Sequence, residues 1–293
     1  MAEVKDKKVL NWFILFILAL VWGSSFILMK RGLLTFNGAQ VGAIRIFVAF
    51  LFMLPLAYRH IKKEHLTHWK AFLGMGACGN LIPAFLFATA ETGISSALTG
   101  MLNSLTPLFT IITGLLFYKA KARWQSVAGV LTGLVGAIGL IASGPSSGPS
   151  SQILYSLLVV AATILYAFSV NIIGTHLRNV NAITATVWAL MLTGPVAGAY
   201  LFSTDFVHIL ATNPEALKAL GFVSILGIFG TALSVIVFNI LIRNSNPVFA
   251  SSVTYLIPVV AMFWGLSDGE AITYMHIICM VIILAGVWLV NRK

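Results

Sequence analysis

Residues 76–107 read GACGNLIPAFLFATAETGISSALTGMLNSLTP, and residues 227–258 read GIFGTALSVIVFNILIRNSNPVFASSVTYLIP. Gly76, Gly79 and Pro107 of the first stretch recur 151 residues later as Gly227, Gly230 and Pro258. Residues 96–107 and 247–258 also match in character, each a run of small and hydroxyl side chains that ends in proline. A constant offset across two apolar segments and the loop between them marks an internal duplication.

Outward from these stretches, the chain divides into ten apolar segments, at 11–31, 38–58, 69–90, 95–117, 124–142, 153–174, 182–202, 217–241, 247–266 and 273–290. A helix needs roughly 20 apolar residues to cross the hydrocarbon core of a bilayer. The expected fold is therefore an all-α integral membrane protein of ten transmembrane helices. Five helices per repeat is an odd number, so the two repeats cross in opposite senses and form an inverted pair. The expected organisation is a cytoplasmic segment at 1–10, a first repeat at 11–143, a Ser-Gly-Pro linker at 144–152 and a second repeat at 153–291. Segments 5 and 10 follow the duplication less closely, since Gly136 superposes on Gly286 only after a one-residue shift.

Composition agrees with this assignment. Hydrophobic residues make up 59% of the chain and charged residues 9%, against about 45–50% and about 25% in soluble domains. The net charge of +10 is not the footprint of a nucleic-acid partner, because the basic residues fall in the loops between apolar segments. There they set orientation. Fourteen Lys and Arg residues lie on the side of the N-terminus, and only Lys30, Arg31 and Lys218 lie opposite. Both termini are accordingly expected in the cytoplasm. The charged start, Met1 to Lys8, leads into an apolar run with no small-residue cleavage site, so the first helix is expected to be retained.

Enzyme and metal chemistry find little footing. Cys78 and Cys279 both lie inside apolar segments, which excludes a disulfide framework or thiolate metal site. The six histidines form no HExxH motif, and neither a GxSxG elbow nor a phosphate-binding loop occurs. No cofactor or metal is expected. The expected partners are the lipid bilayer and a small-molecule substrate. Oligomeric state stays open, a homodimer included, since small-residue faces pack helices within a chain as well as between chains.

The polar and aromatic residues inside the segments are the candidates for function. A proline in a membrane helix frees a backbone carbonyl, and such breaks persist where protein or a water-filled cavity covers them. Pro107 and Pro258, at equivalent places in opposed halves, therefore point to a central binding site. Asn80, Asn103, Asn171 and Asn239 must face other helices or a wet cavity, because an amide without a partner costs several kcal/mol in hydrocarbon. Trp22 and Tyr166, at equivalent places in segments 1 and 6, and Tyr255 lie mid-segment and suit the walls of a cavity for flat or amphipathic molecules. Arg45 is either a fork for a substrate carboxylate or a structural tie to helix-end carbonyls. Lys30 and Glu91 end segments 1 and 3 on one side, as an ion-paired gate, a proton-coupling pair or a plain interfacial contact. Gly76, Gly79, Gly227 and Gly230 are expected to let backbones pack closely.

Trp22-Gly23-Ser24-Ser25-Phe26 followed by Lys30, then Arg45-Ile46-Phe47, then Ser96-Ala97-Leu98 running to Pro107, and Pro247-Val248-Phe249-Ala250 running to Pro258 before Gly269-Glu270 together resemble the EamA branch of the drug/metabolite transporter superfamily. The resemblance covers residues 10–291. It implies two inverted five-helix repeats around a central cavity, and a place in the bacterial cytoplasmic membrane. It also implies the movement of amino acid-like, drug-like or nucleobase-like metabolites, usually outward. Ser25 falls in the first motif and joins the cavity candidates. At the turn matching Gly269-Glu270, the first half has Tyr118-Lys119, a departure from the acidic residue the family often has there. A passive channel and a membrane-embedded enzyme are the competing readings. A channel needs a continuous polar lining and such an enzyme a His/Asp/Glu cluster, neither of which the sequence supplies.

Overall fold

A computed structural model describes residues 2–119, 124–142, 149–245 and 247–291, and every regular element among them is helical. Eight helical stretches are long and apolar enough to cross a membrane: spans 1 (Val9–Leu33), 2 (Gly38–His60), 3 (His65–Ala90), 4 (Ser96–Phe117), 6 (Gln152–His176), 7 (Ala182–Phe202), 8 (Ala216–Asn244) and 9 (Phe249–Ser267). Two shorter apolar helices, spans 5 (Ala128–Ala142) and 10 (Tyr274–Leu289), complete the ten expected segments among the described residues. Of the expected linker, residues 144–148 lie outside the described residues, as do Lys121, Arg123, Arg292 and Lys293. A short helix at Phe206–Thr212, between spans 7 and 8, is an addition the apolar pattern does not announce.

Caps mark several helix starts. Asn37 forms a reciprocal capping box with Gln40 at the start of span 2. Ser95 accepts from the Leu98 amide ahead of span 4, and Asn181 accepts from the Ile183 and Thr184 amides at span 7. Large apolar side chains such as Phe13, Phe16, Leu116, Val135 and Phe263 face outward, where lipid solvates them.

The repeat governs how the helices break. Span 3 opens into a π turn at Ala77–Leu81, and span 8 does so at Leu226–Leu233. Both π turns contain repeated glycines: Gly79 in the first, Gly227 and Gly230 in the second. Span 4 breaks at Ser104–Leu105, before Pro107, and span 9 passes through a 3-10 turn at Ser252–Tyr255, before Pro258. The carbonyl of Asn103, which Pro107 cannot bond, takes a hydrogen bond from the Thr106 hydroxyl at 2.8 Å.

The two halves interlock. Span 2 packs on span 7 and span 5 on span 10, each helix against its own repeat mate. Span 6 packs against spans 3 and 4 of the first half, while span 1 packs against spans 8 and 9 of the second. Two glycines permit a pair of equivalent close crossings. A Cβ on Gly76 would stand 2.7 Å from the Ala189 carbonyl oxygen, and one on Gly227 would stand 2.8 Å from that of Arg45. Arg45 and Ala189 are themselves repeat mates, 144 residues apart. The same contact is thus made twice, once by each half.

Candidate functional site

Where the two halves meet, spans 1, 2, 3, 4, 6, 8 and 9 enclose a cavity of about 90 Å³, measured as the space open to the centres of water molecules. One water needs about 10–15 Å³ on that measure, so the cavity holds several waters or a small solute group.

Its walls are built twice. Span 1 contributes Trp22, Ser25, Phe26 and Met29, and span 6 contributes Tyr166, Ser169, Val170 and Ile173. Each pair is 144 residues apart. The positions recur at three- and four-residue steps, so each set shares one helix face. Spans 3 and 8 contribute Gly79 with Gly230 and Phe87 with Phe238, and spans 4 and 9 contribute Asn103 with Thr254; each of these pairs is 151 residues apart. Phe87 stacks on Tyr166 at 5.5 Å between centroids, and Phe238 meets Trp22 edge-on at 5.1 Å. Repeat mates therefore form two facing aromatic pairs.

Polarity breaks this symmetry. Arg45 has Ala189 as its repeat mate, Asn80 has Thr231, and Asn103 has Thr254. Arg45 is 9% exposed, and its Nε donates to Thr231 Oγ1 at 2.7 Å. The Tyr166 hydroxyl lies beside the same guanidinium. Trp22 Nε1 donates to the Gly230 carbonyl at 2.9 Å, inside the π turn where a backbone acceptor is free. On the other half, Ser169 Oγ donates to the Met75 carbonyl at 3.3 Å. The Asn80 side chain makes no hydrogen bond among the described residues, and that of Asn103 is met only by the Thr106 hydroxyl at 3.4 Å. The cavity thus holds one cation, two amides with free capacity and five rings.

The expected cavity residues divide. Trp22, Ser25, Asn80, Asn103 and Tyr166 line the cavity, and so does Arg45. Asn171, Asn239, Pro107, Tyr255 and Pro258 are not among its walls. The Asn171 amide donates to the Thr110 carbonyl at 2.9 Å, Thr113 Oγ1 at 2.9 Å and the Ala167 carbonyl at 3.1 Å, which ties span 6 to span 4. Asn239 Nδ2 donates to Thr186 Oγ1 at 3.0 Å and ties span 8 to span 7. The Tyr255 hydroxyl donates to the Val287 carbonyl at 3.3 Å. Phe87, Phe238, Ser169 and Thr231 escape sequence reasoning. For the phenylalanines the signal was present, since they keep the same 151-residue offset as the glycines.

Lys30 and Glu91 do not form the expected pair. Lys30 binds Asp268 at 2.6 Å and Glu270 at 2.8 Å, and Arg31 also binds Asp268. The end of span 1 reaches the turn between spans 9 and 10, where Gly269 at φ 77 lets the chain reverse. Glu270 then caps span 4, accepting from the Ser96 amide at 3.1 Å, the Ser96 hydroxyl at 2.7 Å and the Ala97 amide at 3.0 Å. Burial works against its charge, but the Lys30 hydrogen bond and those from Ala97 and Ser96 hold its carboxyl below the usual range. The Lys30 bond does the same for Asp268. These charges persist to mildly acidic pH, and the pairs weaken only as pH falls through the lowered values.

Among the described residues this latch has no counterpart at the other end of the bundle. The repeat mate of Lys30 is Gly174, and that of Glu270 is Lys119. Gly174 instead rests directly on the Pro247 ring at the start of the second-half helix. The contact at one end of the bundle is ionic and that at the other is apolar. Glu270→Gln is expected to loosen the charged end, since hydrogen bonds to charged groups contribute about 1.5–3 kcal/mol each. With both native cysteines replaced, a thiol introduced as Met29→Cys should then react with a water-soluble maleimide about tenfold faster in nanodiscs. An unchanged rate would show that the latch does not close the cavity.

The EamA-like transporter family matches this chain twice, at residues 10–142 and 153–292. The chain is 26% identical to "Uncharacterized inner membrane transporter YedA" of Escherichia coli (strain K12), over 94% of this chain and 89% of that one. It is 25% identical to an "Uncharacterized transporter" of Archaeoglobus fulgidus, over 97% and 99%. It is 27% identical over 55% of each chain to "Aromatic amino acid exporter YddG" of Escherichia coli (strain K12). A crystal structure superposes with a TM-score of 0.63 at 17% identity over 95% of both chains, which shows a shared fold.

Proposed function

Because the chain belongs to the EamA-like transporter family, we propose that it is a secondary carrier that exports a small amphipathic carboxylate by alternating access. The supporting observation is the central cavity, where Arg45 stands beside two amides with free capacity between facing aromatic pairs. A guanidinium presents a planar fork that matches a carboxylate. Stacked and edge-on rings suit a flat or branched apolar body. Amino acids with aromatic or large aliphatic side chains combine the two, and the relative named as an aromatic amino acid exporter is consistent with that class. The exposed, apolar outer faces of the spans suit a multi-pass protein of the cytoplasmic membrane.

Two interlocked, opposed repeats around a central site support alternating access. The bias of Lys and Arg supports a cytoplasmic place for both termini, and in that orientation the Lys30 latch is the outer gate and the Gly174–Pro247 contact the inner one. Two gates of different chemistry respond to different conditions. Counterflow in proteoliposomes tests the reading. Uptake of labelled phenylalanine, leucine or tryptophan is expected to saturate, to accelerate with unlabelled substrate on the far side, and to fail for the corresponding amines that lack a carboxylate. Flux that rises linearly with concentration and ignores substrate on the far side would replace the carrier with a passive pore.

A further inference from the structure

Glu91 follows span 3 and lies one helical turn beyond Phe87, which lines the cavity. It is 9% exposed, and neither of its carboxylate oxygens has a hydrogen-bond partner among the described residues. The groups that surround it come from several elements. Lys30 of span 1 and Arg45 of span 2 lie near enough for their charges to act on it, while Glu270, beside Asp268, opposes it from the 9–10 turn. Span 6 adds Tyr155, whose ring lies against Gly93, and Tyr166, stacked on Phe87. Both cations are already engaged, Lys30 with two carboxylates and Arg45 with Thr231.

An ionised carboxylate enclosed without a donor is strongly disfavoured, and such a group stays neutral by holding its proton. Burial first, and the negative charge of Glu270 second, hold the Glu91 carboxyl well above the usual range, against the pull of Lys30 and Arg45. The latch adds to burial in outweighing those pulls, since it places the charge of Glu270 nearby and engages Lys30.

We infer that Glu91 is a proton-binding site that couples the outer gate to external pH. With the gate closed, Glu91 carries a proton and Lys30 serves the latch. On opening, the proton leaves the carboxyl for outer water, and the resulting carboxylate takes Lys30 as its partner. On closing, the proton returns from the same solution. The sign follows directly: proton binding favours the closed gate, and rising pH favours the open one. For one linked proton, the open-to-closed ratio changes by up to about tenfold per pH unit across the window between the two states' pKa values. The latch carboxylates do not supply this response near neutrality, because their charges persist well below it. At the inner contact, Gly174 and Pro247 themselves carry no titratable side chain, and the described titratable groups nearby include His176 and Tyr118, whose rings meet edge-on. The inference rests on the alternating-access reading.

Spin labels at Leu34→Cys and Tyr274→Cys, both on exposed positions, report the distance across the outer gate in nanodiscs without any substrate. Cys78→Ala and Cys279→Ala remove the native thiols. The full-length protein is expected to show one short distance at pH 5 and a growing longer population toward pH 8. Glu91→Gln should hold the short distance at every pH, while Glu91→Asp, which keeps the carboxyl, should retain the response. Lys30→Ala should populate the longer distance at every pH. If Lys30→Ala opens the gate but neither the unsubstituted protein nor Glu91→Asp responds to pH, the Glu91 site is overturned and the gate stands. A pH response that survives unchanged in Glu91→Gln overturns it equally. If Lys30→Ala leaves the gate closed, the outer-gate reading itself fails.

Discussion

Arg45→Leu is expected to cut counterflow of carboxylate substrates by about ten- to hundredfold. A hydrogen bond to a charged group contributes about 1.5–3 kcal/mol, and a guanidinium can offer two in parallel. The rest of the cavity cannot compensate, because the repeat mate of Arg45 is Ala189 and no second cation lines the walls among the described residues. Arg45→Lys keeps the charge but loses the fork, so it should recover only part of the rate. The loss has a structural component, since Arg45 Nε also ties span 2 to the π turn of span 8 through Thr231. Thr231→Val removes that tie and leaves the cation, so it should lower thermal stability while retaining preference for carboxylates over amines. Arg45→Leu transporting carboxylates with an unchanged KM would show that the guanidinium is purely structural.

Gly76→Leu and Gly227→Leu are each expected to abolish stable folding or lower the melting temperature sharply in detergent. A Cβ at either site would press on a main-chain carbonyl oxygen at 2.7 or 2.8 Å, and a main chain cannot rotate aside as a side chain can. Overpacking in a close-packed interior costs typically about 1–3 kcal/mol when side chains can adjust. These sites are less forgiving, because each is where a π-broken span crosses a helix of the opposite half. Gly221 supplies the control, since a Cβ there meets nothing within 4 Å. Gly221→Ala should melt at or slightly above the unsubstituted protein, because alanine favours a helix interior by about 1 kcal/mol. Equal melting temperatures for Gly76→Leu and Gly221→Ala would remove the close crossing as a determinant of the fold.

The contrast between Gly76 and Asn171 shows how far pattern reaches. Gly76 was legible because its repeat mate, Gly227, makes the same contact, and duplication turns one coincidence into two. Asn171 was legible only as a buried amide that needs partners. Whether those partners are a cavity or a neighbouring helix depends on its rotation about span 6, and three donor contacts to span 4 and its own helix decide for the helix. Lys30 teaches the same lesson at longer range. Its neighbour in the linear order of segment ends was Glu91, whereas the carboxylates that capture it lie 238 and 240 residues away in the chain.

Hydrophobic length and a repeated offset therefore suffice for ten spans, two opposed halves and the approximate places where helices break. They suffice because bilayer thickness imposes one length on every crossing, and because each backbone group in lipid must find its partner within its own helix. Assigning walls, ties and latch required the packed molecule. Polar side chains inside a membrane bond to whatever the helix rotations and crossings bring within about 3 Å, and those rotations are set by contacts between segments far apart in the chain. Arg45 beside Thr231, Glu270 at the start of span 4 and Glu91 without a donor are consequences of that packing.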